Sequence, residues 1–309
     1  MQQLILHHYP NSPFAEKIRL IFGFKKLRWA SVIIPDKMPK PDVIALTGGY
    51  RKTPILQIGA DIYCDTALIA DVIDSLAPKP SLYPAGIAAS SRILAQWADS
   101  TLFWAAIPYT MQPAGLAHMF AGASPETVKA FGEDRAVFRA NMPRMRPAEA
   151  QAALPIYLRR LQESLGGRPF FFGDVPSIAD FSIYHCLWFV SRGGPVASIL
   201  ESFPGLRKWR DTMGAFGHET FDKMDSAEAI RIANSTTPNA SPGVSLEPHG
   251  IAAGEKVVVA ATDTGVDPVE GTLYAATDER ISISREDGRA GRVVVHFPRL
   301  GFEMRRPKV

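Results

Sequence analysis

The hydrophobic period changes twice along this 309-residue chain, and the order of the changes limits what it can fold into. Through residue 77, strand-like and helix-like stretches alternate. QQLILHHY (2–9) reads as a strand. Pro13 to Phe24 carries Phe14, Ile18, Ile21 and Phe22 at helical spacing, with Gly23 and a Lys-Lys pair at its end. RWASVII (28–34) reads as a second strand, the stretch after it, with Pro39, Pro41, Gly48 and Gly49, as turn-rich, PILQI (54–58) and DIYC (61–64) as a hairpin around Gly59, and DTALIADVIDSL (65–76) as a helix. Strand, helix, strand, hairpin and helix is the order of one small α/β domain. PKPSLYPAG (78–86) is a linker by composition. Beyond it the period is helical alone. Helices are expected over 88–106, 125–141, 149–165, 177–191 and 203–215. The first is apolar nearly all round, which predicts burial, and two prolines in MPRMRPA (142–148) break the run. After ANSTTPNASPG (233–243) come KVVVAAT, GTLYAA, RISISR and GRVVVHF, short β-branched runs separated by Asp/Gly turns. Three domains are expected: 1–77, α/β; 87–232, all-helical; and 244–309, a separate small all-β unit, closed or sandwich-like.

Charge and composition narrow the function. With 34 basic and 31 acidic side chains the net charge is +3, which gives no reason to expect nucleic acid as a partner. The apolar fraction of 46% is enough for a sizeable core. No apolar run approaches the ~20 residues that cross a bilayer, so no membrane partner is expected. MQQLILHHYP lacks the pattern of an export signal. Cys64 (IYCDT) and Cys186 (YHCLW) sit in core-like contexts, which fits a reduced, cytoplasmic setting. No metal site is expected.

Four local features stand out. Ser12 lies where a strand ends and a helix begins. Lys52-Thr53-Pro54 precedes the hairpin. Asp65-Thr66 opens the next helix. Gly173-Asp-Val-Pro-Ser177-Ile-Ala-Asp180 opens a later one. Each has a structural reading. Ser12, Asp65 or Thr66 can cap a helix, Pro54 suits a strand edge, and Lys52 can be a solvated charge. Ser177 and Asp180 have the spacing of a capping box, a purely structural role.

In order and spacing the set resembles the glutathione transferase superfamily across residues 1 to about 217. Ser12-Pro13-Phe14-Ala15-Glu16-Lys17 is similar to the active-site turn of omega-type and tau-type members, which carry Cys or Ser before Pro-Phe. Lys52-Thr53-Pro54-Ile55-Leu56 resembles the basic-x-Pro-x-Leu segment, in which the proline is cis. Asp65-Thr66-Ala67-Leu68-Ile69 stands where most members have an acidic residue or Gln followed by Ser. Residues 173–180 resemble the G-x(3)-[ST]-x-A-D signature of the helical domain. The resemblance implies a thioredoxin-like first domain, a helical second domain, glutathione as co-substrate, and a homodimer.

It also implies roles. Thr53, through its backbone beside Pro54, would hold the cysteinyl part of glutathione as a sheet edge does. Asp65 and Thr66, at a helix N-terminus, would grip the γ-glutamyl end. Lys52 would meet the glycyl carboxylate. A serine hydroxyl is too weak an acid–base group to ionise a thiol, but Ser12 can donate a hydrogen bond to a thiolate. Such bonds are worth ~1.5–3 kcal/mol, enough to lower a thiol pKa by about one to two units. The nucleophilic sulfur would belong to the bound tripeptide. Serine in place of cysteine at position 12 favours conjugation or peroxide reduction over thiol–disulfide chemistry. His8 reads as a satisfied strand residue, with Tyr9 and Asn11 as neighbouring polar candidates.

A second, electrophilic substrate would sit between the domains against Trp97, Phe103, Trp104 and Tyr109, near the breaks at Pro108 and Pro113. An aromatic stripe of this kind is also what plain core looks like. The alternative function is a non-catalytic scaffold of the same fold whose β tail recruits a partner.

Overall fold

The computed structural model describes residues 2–139, 142, 145–244 and 250–308. The first domain follows the expected order: β1 (Ile5–His8), α1 (Pro13–Lys25), β2 (Trp29–Ile33), α2 (Pro41–Thr47), β3 (Ile55–Ile58), β4 (Asp61–Cys64) and α3 (Thr66–Leu76). Strand β1 pairs parallel with β2 and antiparallel with β3, and β3 pairs antiparallel with β4. Helix α2 occupies part of the turn-rich stretch, started by Pro41 and ended by Gly48 at φ +80°.

Next come α4 (Ala88–Trp97), a π-helical turn (Ala98–Leu102), α5 (Phe103–Thr110), α6 (Pro113–Met119), α7 (Pro125–Phe138), α8 (Pro147–Leu165), α9 (Ile178–Ser191), a 3-10 stretch (Gly194–Ser202) and α10 (Pro204–Gly214). The expected helix 88–106 is thus three segments. Its first part is less buried than its composition implies: within α4 only Ser91 and Ala95 are buried, and Ile93 is 69% exposed. The most enclosed helix is α9, with twelve of its residues buried. Its start is the capping box read from the sequence. The Asp180 carboxylate accepts from the Ser177 N–H at 2.9 Å, and also from the Phe171 N–H and Trp209 Nε1, both at 3.1 Å. That carboxylate therefore ties α9 to α10 and to the turn before it. The expected helix end at 140–141, part of the 142–148 break, and residues 245–249 of the tail lie outside the described residues.

The chain then returns to the first sheet. β5 (Phe221–Met224) pairs parallel with β2, and α11 (Ser226–Ser235) follows. Residues 221–235 therefore leave the helical layer, although they fall inside or next to the span expected to be helical. FDKM is too short and too polar to read as a strand on its own. The strand-rich C-terminal region is present as β6 (Gly243–Val244), β7 (Lys256–Ala261), β8 (Val269–Ala276), β9 (Arg280–Asp287), β10 (Gly291–Pro298) and β11 (Phe302–Arg305). It extends the first sheet. β10 pairs parallel with β4, giving the order β11-β7-β8-β9-β10-β4-β3-β1-β2-β5, with β6 beside β8. Among the described residues no pairing closes β11 onto β10, because the outer edge of β10 is taken by β4. Both edges of the four-stranded first sheet are thereby covered, which removes two open pairing surfaces.

Alternation along the strands makes two cores. Leu4, Leu6, Leu56 and Ile58 face α1, α3 and the helical layer. Ile5, Val32, Ile55 and Ile62 face α2 and α11 and share one cluster with Val257, Val259, Ile283, Val293, Val295 and Phe297 of the tail. Each such side chain contributes about 1.5–3 kcal/mol when fully buried. At the seam, buried His296 of β10 bonds Asp61 of β4 through Nε2 at 2.9 Å and Ser282 of β9 through Nδ1 at 2.8 Å. Tyr63 stacks on the imidazole at 4.5 Å, and the other Asp61 oxygen accepts from the Asn239 N–H at 2.7 Å. Asp61→Ala orphans the buried His296 nitrogen and the Asn239 amide, so it is expected to cost about 1–3 kcal/mol of stability in urea unfolding.

Candidate functional site

Ser12 sits at the C-terminal end of β1, where the chain turns into α1, and is 2% exposed. It is the N-cap: its Oγ accepts from the Ala15 N–H at 3.2 Å, and Pro13 takes the first helical position. Capping occupies one acceptor site of the Ser12 hydroxyl and leaves its single donor, and Tyr9 hydrogen-bonds the same hydroxyl. Burial pushes the Tyr9 phenol up, keeping it protonated. Gly23, in the next turns of α1, is backed by residues 216–217; a Cβ there would lie 2.0 Å from the Gly217 carbonyl oxygen. Only glycine lets the helix seat this closely.

The other site residues meet Ser12 at the same end of the sheet. The Thr53–Pro54 peptide is cis. Asp65 caps α3, its side chain accepting from the Ala67 N–H at 2.9 Å, with φ +75°. A non-glycine residue held there is strained by about 1–3 kcal/mol, and such strain gathers at ligand clamps. Burial pushes the Asp65 carboxyl up, while Lys52 and then Lys17 pull it back. Thr66 is buried and its Oγ1 accepts from Lys17 Nζ at 3.3 Å.

Lys17 leads into the helical layer. Its ammonium, fully buried, pairs with Asp99 at 2.7 Å. Asp99 also accepts from Ser182 Oγ at 3.2 Å and bonds His185 Nε2 at 2.8 Å. Burial opposes the charge on Asp99, but Lys17 and His185 hold its carboxyl down at about 2. Asp99 lies in the π-helical turn, whose extra residue per turn is a feature common at functional sites. The sequence held a signal for it: one carboxylate inside an otherwise apolar helix.

Lys40 also reaches the site, from a segment read only as turn-rich. It is 4% exposed, donates to Thr53 Oγ1 at 3.2 Å, and its ammonium lies 5.7 Å from the Tyr9 ring centre. Burial and then Arg135 lower it to about 8. Lys52, by contrast, is ion-paired with Asp263 of the β7–β8 turn.

His8 is the satisfied strand residue expected. It bonds Ser31 Oγ at 2.9 Å and the Arg19 guanidinium at 3.0 Å, and burial lowers it to about 3. Asn11 accepts from Arg192 at 2.9 Å. Of the expected second-substrate residues, Phe103 is buried, 4.6 Å from the Phe14 ring and in contact with Trp104. Trp104 and Tyr109 are half-buried, and half-buried Trp97 packs edge-on against Tyr157 of α8. The Phe14–Phe103–Trp104 group lies beside the Ser12 turn, whereas Trp97 serves packing between helices. Cys64 and Cys186 are buried free thiols, as their contexts implied.

Residues 6–81 match the family described as glutathione S-transferase, N-terminal domain, and residues 146–212 match glutathione S-transferase, C-terminal domain. A GST-like protein from Pseudomonas syringae superposes with TM-score 0.83 at 42% identity, covering 99% of this chain and 100% of that one. The chain belongs to the glutathione transferase superfamily. A glutathione S-transferase from Rhodospirillum rubrum shares the fold at TM-score 0.53 and 20% identity, over 69% of this chain and 88% of that one. So does the mango Tau-class glutathione S-transferase MiGSTU, at TM-score 0.52 and 16% identity, over 69% and 89%. A comparison with curated proteins finds no match. Among the described residues, no helix of this superfamily member is long and apolar enough to cross a membrane.

Four buried histidines bracket site and seam. Burial lowers His7 to about 4 and His8 to about 3, and lowers His185 and His296 as well. His7 and His8 stay neutral when folded but take a proton near pH ~6.5 when unfolded. The unfolded state therefore binds more protons, and stability is complete above about pH 6.5 and lost as pH falls below it. The unfolding free energy from urea titrations should drop from about pH 7 to about pH 5, by about 1 kcal/mol per pH unit for each of His7 and His8.

Proposed function

We propose that this chain is a glutathione-dependent transferase that conjugates or reduces small electrophiles with a glutathione thiolate stabilised by Ser12. The observation that carries the reading is the Ser12 hydroxyl at the foot of a helix, which caps through its oxygen and keeps one O–H to donate. That proton is donated to the sulfur, and the positive end of α1 adds to the effect. The sulfur ionises nearer neutral pH and attacks the electrophile; its proton leaves to solvent. Thr53 beside cis-Pro54 holds the cysteinyl backbone. Asp65 faces the γ-glutamyl ammonium and the N-terminus of α3 its carboxylate, with Thr66 fixed by Lys17. Lys52 meets the glycyl carboxylate, in competition with Asp263. Apolar electrophiles are received by Phe14, Phe103, Trp104 and Tyr109. The protein works as a cytoplasmic homodimer.

The scaffold alternative has less support, because Ser12, Thr53–Pro54 and Asp65–Thr66 lie at one end of the sheet and are not scattered over it. The test is the ionisation of bound glutathione, followed through thiolate ultraviolet absorbance. Ser12→Ala is expected to raise the thiol pKa by about one to two units and to move the acidic limb of kcat/KM up with it. Affinity for glutathione should change little. An unchanged thiol pKa, or glutathione binding without turnover of any electrophile, would return the chain to the scaffold reading.

A further inference from the structure

The two basic residues before Thr53 are each held by an acid from outside the first domain. Arg51 pairs with Asp134 of α7, both side chains under 10% exposed. Lys52 pairs with Asp263, in the turn between β7 and β8, and lies 5.7 Å from the Phe302 ring centre. The two acid-bearing segments touch. The Gly265 N–H donates to the Phe138 carbonyl at the end of α7, at 2.8 Å. A Cβ on Gly265, at φ +57°, would come 2.8 Å from the Phe138 ring and 3.3 Å from Lys52 Cγ. Arg51 adds an approach to Asp267 of the same turn at 3.9 Å and lies 5.6 Å from the Phe138 ring centre. Turn 262–268 therefore packs directly on the basic segment, and a part of the chain beyond both matched glutathione transferase domains borders Lys52.

From this contact we infer that Asp263 is a specificity-determining residue. It competes with the C-terminal carboxylate of the thiol ligand for Lys52, so the pocket gains little from that carboxylate. It accepts γ-glutamyl-cysteinyl thiols whose far end is neutral, such as an ester or amide, nearly as well as glutathione. The inference rests on the glutathione reading above. Lys52 is 16% exposed and Asp263 53%, so the pair is of the partly solvated kind, worth about 0.2–1 kcal/mol. The competition is thus set at about a 1.5-fold to fivefold effect, not an all-or-none block.

The experiment is calorimetric titration of the full chain with glutathione and with its glycyl monoethyl ester. Wild type is expected to bind the two within about twofold of each other. Asp263→Ala should bind glutathione about 1.5-fold to fivefold tighter and the ester unchanged. Asp263→Asn, which keeps the shape of an exposed turn residue, should do the same. In a Lys52→Ala background the gain should vanish. If removing Asp263 leaves the acid-to-ester ratio where it was, or the gain persists without Lys52, the inference is overturned while the glutathione reading stands. If none of the proteins binds either thiol, the glutathione reading falls and takes this inference with it.

Discussion

The parallel pairing of β10 with β4, pinned by His296 between Asp61 and Ser282, is the constraint on which the rest depends. It joins the C-terminal strands to the first sheet, and through them it places the β7–β8 turn against Lys52. Aspartate, histidine and serine in a row look like a hydrolytic triad, but the setting is wrong for one. Ser282 and His296 are fully buried, Tyr63 covers the ring, and both ring nitrogens are already engaged. A nucleophile needs access to substrate and a place for developing charge. Here the three groups satisfy one another, as polar atoms inside a sheet must.

Because the seam lies inside a sheet, the tail is more than an appendage. Val257, Val259, Val293 and Val295 share a core with Ile5 and Val32 of the first domain. Arg285 of β9 donates to the Ala45 carbonyl of α2 at 2.6 Å, and Arg289 pairs with Asp42 of the same helix at 2.7 Å. Helix α2 is thus gripped by strands more than two hundred residues away, on the face of the sheet opposite the helical layer. The helix also starts just after Lys40, so the tail steadies one margin of the site.

What was legible in the sequence follows the range of the interactions involved. Ser12, Asp65 and the Ser177–Asp180 box signal local geometry, a helix start satisfied within three residues, and short patterns suffice for that. The two changes of hydrophobic period gave the three-part architecture for the same reason. Lys40 was hidden because nothing in PDKMPK says what Thr53 and Tyr9 will stand beside it. The destination of β10 was hidden too. GRVVVHF is apolar enough to be buried on both faces, but its partner β4 is chosen by the seam and not by its own pattern. The pairing of Lys52 with Asp263 spans 211 positions, and only the seam brings those charges together.

The Lys17–Asp99 pair shows why the site belongs to both layers. A buried ion pair is weak evidence of stability, since desolvation of both charges offsets most of their attraction. Its value here is positional. Lys17 comes from the helix that Ser12 caps, and Thr66 from the helix that Asp65 caps. Asp99 comes from the π-helical turn, and Ser182 and His185 from α9. A shift of the helical layer against the first domain would leave one of these groups buried without its partner, at several kcal/mol for an ion. The network therefore fixes the docking of the two layers in one arrangement. The same arrangement sets Phe103 against Phe14, two residues from the hydroxyl proposed to hold the thiolate. The two proposed sites, for the electrophile and for the sulfur, are thus aligned by charges that neither ligand need touch.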